Sequence, residues 1–142
     1  MLPVADGSDM AGSLRNPASF NNVIGFRPTQ GTIPYWPTKD VETFSLLTEG
    51  PMGRDVKDTA MLMSTMAGHD PRVLNSPKID TSSFSQTLKK DFKNLKLGWL
   101  GDLNGYLPME KGILDICEKA LKQFKDGGVH IEATKPSISP QI

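Results

Sequence analysis

Asp6-Gly-Ser-Asp-Met-Ala-Gly-Ser-Leu-Arg-Asn-Pro-Ala-Ser-Phe-Asn-Asn-Val-Ile-Gly-Phe-Arg-Pro-Thr-Gln-Gly31 is the stretch on which the fold turns. The apolar run Leu2-Pro3-Val4-Ala5 precedes it and ends at Asp6-Gly7, the pattern of a buried strand delivering the chain into a tight turn. Gly7, Ala11 and Gly12 are small enough for backbone N–H groups to converge on a ligand oxygen, which is what an oxyanion hole asks of a loop. Ser13 follows directly. A serine hydroxyl needs a base within hydrogen-bond reach before it becomes a useful nucleophile, so Ser13 alone is half of a mechanism. The same residues also fit an ordinary strand-turn in which Ser8 and Asp9 bond to nearby backbone.

Gly7-Ser-Asp-Met-Ala-Gly-Ser-Leu-Arg-Asn-Pro-Ala18, followed by Gly25-Phe-Arg-Pro-Thr-Gln-Gly31, resembles the signature of the amidase-signature family, G-S-D-x-G-G-S-[IL]-R-x-P-A and then G-[LF]-[KR]-P-T-x-G. The likeness continues in Gly50-Pro-Met-Gly-Arg-Asp-Val-Lys-Asp58, similar to G-P-M-x-R-x-V-x-D, and in Ala67-Gly-His-Asp-Pro71, similar to A-G-x-D-P. The resemblance implies an α/β fold, part of a mixed β-sheet core flanked by helices. It also implies hydrolysis of amide carbon–nitrogen bonds through a serine acyl-enzyme, with no cofactor and a small-molecule amide as substrate.

By that resemblance Ser13 matches the nucleophile, the N–H groups of Met10, Ala11, Gly12 and Ser13 match the oxyanion loop, and Asp9 and Arg15 match positions that support the loop. The family activates its nucleophile with a second serine, held by a cis peptide bond, and a lysine. Both lie upstream of this loop, so the chain is expected to begin too late to hold them and to be silent alone. Residues 1–142 are then expected to be a partial domain: signature in 1–31, helix in 55–67, β-α-β unit in 95–133.

Two positions depart from the pattern. Ala11 stands where glycine is usual, and a left-handed backbone there would cost about 1 to 2 kcal/mol. Asn21-Asn22 replace a frequent Cys-Gly pair. Two other readings remain. One is the amidase-like subunit that supplies ammonia for transamidation of mischarged tRNA, against which Ser45-Leu-Leu-Thr-Glu-Gly-Pro51 lacks the usual Ser-Leu-Asp. The other is a non-catalytic binding remnant, with an exposed sheet edge inviting self-association or pairing with the missing part of the domain.

Composition narrows the classes. The 16 basic and 16 acidic residues balance to zero net charge, with no like-charge run, so neither a nucleic-acid nor a polybasic membrane footprint is present. No apolar run approaches the roughly 18 residues of a membrane span and no signal core opens the chain, which points to the cytoplasm. Cys117 is the single cysteine, and His69 and His130 lack ligand spacing, so neither a disulfide nor a metal site is expected. His69 is expected to end a helix and His130 to lie on the polar side of a strand.

Along the rest of the chain, prolines between Pro17 and Pro51 suggest mostly irregular backbone over 16–54. Asp55 is placed to cap a helix running to about Ala67 and stopped by Gly68, with Val56, Ala60, Met63 and Ala67 on one face. A polar connection follows over 70–93, with a short helix near Phe84 to Phe92. Leu95–Leu100 and Val129–Ala133 alternate as strands around a helix from about Pro108 to Asp126, ended by Gly127-Gly128. If those strands share a sheet they are parallel, and Cys117 lies buried and inert on the apolar face of the helix.

Overall fold

The computed structural model describes residues 2–38, 46–86 and 91–135. Two compact units divide the chain, Met1–Leu88 and Lys89–Ile142. Each mixes helices with a small sheet, an α/β arrangement.

The first unit is built on β1 (Val4–Asp9), β2 (Ile24–Gly25) and β3 (Thr48–Gly53), with β3 central and antiparallel to both neighbours. Gly7 faces Gly50 and Asp9 faces Thr48 across the β1–β3 ladder. The expected turn at Asp6-Gly7 is therefore inside the strand, because pairing along all of β3 carries the extended backbone through Asp9. Gly50 permits a close crossing: a Cβ there would collide with the carbonyl of Phe26 and with Leu14.

Within 16–54 the described residues 26–38 are irregular, as the prolines suggest, whereas 16–21 and 48–53 are regular. Helix α1 (Arg15–Asn21) accepts Pro17 in its first turn, where the missing N–H has no intrahelical partner to lose. Asn22 closes it in the left-handed conformation (φ 52°, ψ 49°). Helix α2 (Val56–Met66) starts at Asp55, whose carboxylate accepts the Asp58 N–H at 2.8 Å, and buries Thr59 and Met63. Its end differs from expectation. Ala67 turns extended, and the Gly68 N–H goes to the Thr32 carbonyl, so no left-handed glycine is used. Val56 is exposed rather than packed on the inner face. The core is small and sits under the loop after β1: Leu14, Ala18, Ile33, Pro51 and Met63.

His69 lies just beyond α2, its Nδ1 donating to the Ser76 carbonyl at 2.9 Å. Beyond it α3 (Ser82–Ser85) is a single short turn; the remainder of the helix expected near Phe84 to Phe92 falls partly on 87–90, outside the described residues.

In the second unit β4 (Lys96–Trp99) and β5 (His130–Ala133) are parallel, Lys96 opposite His130, joined through α4 (Ile113–Asp126). The helix begins five residues later than the periodicity suggests because Gly112, at φ 91°, breaks it from the preceding chain. Gly128, at φ 90°, and the Val129 N–H to Phe124 carbonyl bond turn the chain into β5. His130 is exposed on its strand. Cys117 is half-buried, not buried, since the described residues leave much of the apolar stripe of α4 uncovered, Ile116 and Phe124 included. No described helix is long and apolar enough to cross a membrane.

Candidate active site

Strand β1 delivers Asp9 at its last position, and Asp9 is fully buried. A buried carboxylate has to be hydrogen-bonded or paired, and here it is both. Its Oδ1 accepts the Gly12 N–H at 2.7 Å and Arg15 Nη2 at 3.1 Å; its Oδ2 accepts the Leu14 N–H at 3.2 Å and Arg15 Nε at 3.0 Å. Hydrogen bonding from Arg15 pulls the carboxyl well below the usual carboxylate range. Burial opposes this, while the Gly12 and Leu14 N–H groups and the Arg15 charge add to it. Asp9 is ionised at neutral pH. Arg15 is correspondingly raised by the same bonds.

The consequence for Ser13 is positional. Asp9 grips the residue before it and the residue after it, so Ser13 stands exposed at the apex of a loop pinned from below. Among the described residues its hydroxyl has no hydrogen-bond partner. The turn needed to fit this loop falls on Gly12, at φ 126°, while Ala11 keeps a negative φ. The strain expected at Ala11 is absent for that reason.

Of the four N–H groups expected at the oxyanion loop, that of Gly12 is already committed to Asp9. Those of Met10, Ala11 and Ser13 meet no acceptor among the described residues. Asp9 and Arg15 are brought together directly beneath the loop.

Arg27 is a member of the cluster to which the sequence motif assigns no role. Its Nε lies 3.4 Å from Asp9 Oδ1, and its Nη2 donates to the Leu46 carbonyl at 2.7 Å. A cation interrupting the run Val23-Ile-Gly-Phe26 before Pro28 was the available signal. In the same unit a cleft is lined by Gln30, Ile33, Tyr35, Leu47, Glu49 and Asn75. Partial burial, and then the nearby charge of Asp6, push the Glu49 carboxyl above its ordinary value. No cluster of three or more His, Cys, Asp or Glu able to hold a metal occurs among the described residues.

Known proteins resemble this chain in both sequence and overall structure. The sequence model of the family described as Amidase matches residues 1–142. The A subunit of glutamyl-tRNA(Gln) amidotransferase from Caldanaerobacter subterraneus subsp. tengcongensis is 38% identical over 125 residues, covering 88% of this chain and 25% of that protein. Among solved structures, a bacterial aryl acylamidase of the amidase signature family superposes with a TM-score of 0.83 at 32% identity, over 99% of this chain and 28% of that one. The A subunit of glutamyl-tRNA(Gln) amidotransferase from Thermotoga maritima gives 0.81 at 28% identity, over 94% and 29%. The chain thus spans about a quarter of the length of the curated relatives it matches.

Proposed function

Because this chain belongs to the amidase family, we propose that it carries the nucleophile half of a serine amidase site that hydrolyses small-molecule amides in the cytoplasm. The observation that carries the reading is the bracketing of Ser13 by Asp9 through the Gly12 and Leu14 N–H groups. In this reading Ser13 Oγ attacks the amide carbonyl carbon, forming the ester as the C–N bond breaks and the amine leaves with a proton. Water then cleaves the ester, giving the carboxylic acid and restoring the serine. The N–H groups of Met10, Ala11 and Ser13 receive the oxyanion, and Gly12 contributes through loop shape. The proton acceptor is the serine–lysine pair implied by the family, supplied by sequence outside this stretch. General acid–base help of that kind is worth about 10² to 10⁴ in rate.

The test uses the polypeptide carrying this chain at its native length, whose mass is first read from its source. Amine or ammonia release from a panel of anilides, aliphatic amides and glutamine is compared with that of Ser13→Ala. Activity that survives in Ser13→Ala removes Ser13 as the nucleophile.

A second reading is favoured by the relatives themselves. Two of them, at 38% and 36% identity, are A subunits of glutamyl-tRNA(Gln) amidotransferase, so the same Ser13 site would serve to release ammonia for transamidation of a mischarged tRNA. Preference for glutamine over anilides, together with co-purification of partner subunits, would select this reading.

A further inference from the structure

Arg27 is held in place before its side chain does anything. The Phe26 N–H donates to the Pro51 carbonyl at 3.0 Å, and Thr48 Oγ1 donates to the Pro28 carbonyl at 3.3 Å, so β3 fixes the backbone on both sides of it. The Nη2 bond to Leu46 then orients the guanidinium toward Asp9.

At Asp9 there is nothing left to bond. A carboxylate offers about four lone-pair sites, and Gly12, Leu14 and the two nitrogens of Arg15 occupy that number. Arg27 Nε accordingly stops at 3.4 Å, buried and without a hydrogen-bond partner among the described residues. Leaving a donor unbonded in the interior is unfavourable, whereas a full positive charge this close to a buried carboxylate is attracted to it without a hydrogen bond. The two arginines therefore do different things. Arg15 uses its fork, and Arg27 uses its charge.

We infer that Arg27 is a positioning residue for the Ser13 loop, acting on Asp9 through charge where Arg15 acts through hydrogen-bond geometry. Lysine, a point charge without a planar fork, then substitutes at position 27 and fails at position 15. The kinetic readout rests on Ser13 being the nucleophile; the inference about Asp9 does not.

Three variants of the native-length polypeptide test this: Arg27→Gln, which drops the charge and ends at the place of Nε, short of the Leu46 carbonyl, Arg27→Lys and Arg15→Lys. For amide hydrolysis, Arg27→Gln is expected to lower kcat by about 10-fold to 100-fold with KM within about threefold of the parent. Arg27→Lys returns kcat to within about threefold, and Arg15→Lys stays at least about tenfold down. In parallel, the Asp9 carboxyl followed by ¹³C NMR titrates at higher pH in Arg27→Gln than in the parent or in Arg27→Lys.

A folded Arg27→Lys as impaired as Arg27→Gln overturns the charge role, as does an Arg27→Gln indistinguishable from the parent. If the parent hydrolyses no amide, the nucleophile reading fails by itself, and the Asp9 titration still decides on Arg27: no difference between Arg27→Gln and the parent overturns it. Should Arg27→Gln not fold, Arg27→Lys against Arg15→Lys carries the test, equal Asp9 titrations in the two overturning it.

Discussion

Asp9 and Arg15 meet as a bidentate pair, 3.0 and 3.1 Å between guanidinium and carboxylate, with Asp9 fully buried and Arg15 half exposed. The pair is asymmetric in what it costs. Arg15 still has water on its outer face, while Asp9 relies on protein donors for every lone pair. Loss of the arginine therefore strands a buried charge, and the damage reaches Ser13 through the two N–H groups that Asp9 holds.

Substituting the carboxylate tests that route directly. Asp9→Asn replaces acceptors with an amide donor facing N–H groups and leaves Arg15 and Arg27 without a counter-charge. We expect amide hydrolysis to fall by at least about tenfold, mostly in kcat, because the loop loses its grip around Ser13. Steady-state kinetics on the folded variant checks this, and an unchanged kcat would show that the Asp9 contacts are ornamental.

Acid should weaken the first unit in a defined window. The Asp9 carboxyl is depressed in the fold by Arg15 hydrogen bonding, so its contribution is fully present above the unfolded value of 3.8 and is lost as pH falls through the folded value beneath it. Asp70, lowered to about 2 chiefly by hydrogen bonding from Arg72, acts in the same direction, but as an exposed ion pair it contributes little. Urea midpoints measured from pH 7 to pH 2 are expected to hold steady and then drop below about pH 4. Arg15→Met should be less stable than the parent at pH 7, with the gap narrowing toward pH 2; a gap independent of pH would assign the effect to packing.

Leu14 joins the loop to the core. It is completely buried, and its side chain and carbonyl fill the space that Gly7, Gly25 and Gly50 leave open. Leu14→Ala should cost about 2 to 5 kcal/mol in chemical denaturation, the ordinary range for an aliphatic truncation that leaves a cavity. A loss well under 1 kcal/mol would mean that the surrounding sheet collapses into the vacated space.

What was legible in the sequence follows from the range of the forces involved. Helix α2 could be read because its start is local: Asp55 caps it three residues from the bond it accepts. Strands β4 and β5 could be read from alternation, and the small-residue loop that carries Ser13 from its glycines. Helix α1 could not, since seven residues give no period and Pro17 reads as a breaker until the first turn is placed beneath it. Strand β3 was hidden because Gly50, Pro51 and Gly53 have poor strand propensity, and what holds them extended is pairing with residues more than 40 positions away. Arg27 escaped for the same reason: its meaning lies in Asp9 and Leu46, neither of which is near it in sequence.

The position of the glycine in the loop makes the sharpest stability contrast. Gly12 adopts φ 126°, a region that a side chain strongly disfavours, whereas Ala11 adopts no positive φ. A Cβ on Gly12 would approach Asn16 Nδ2 at 2.9 Å, but that amide ends a movable side chain, so the cost is set by the backbone. Gly12→Ala is expected to destabilise by about 1 to 3 kcal/mol and to lower activity with it, because relaxing φ pulls the Gly12 N–H away from Asp9. Ala11→Gly, which restores the residue usual in the family, should bring no gain. It is expected to lose about 0.4 to 1 kcal/mol, the entropy of a freer unfolded chain. Denaturation midpoints of the two variants decide the matter: equal losses, or a stabilised Ala11→Gly, would place the turn at Ala11 and not at Gly12.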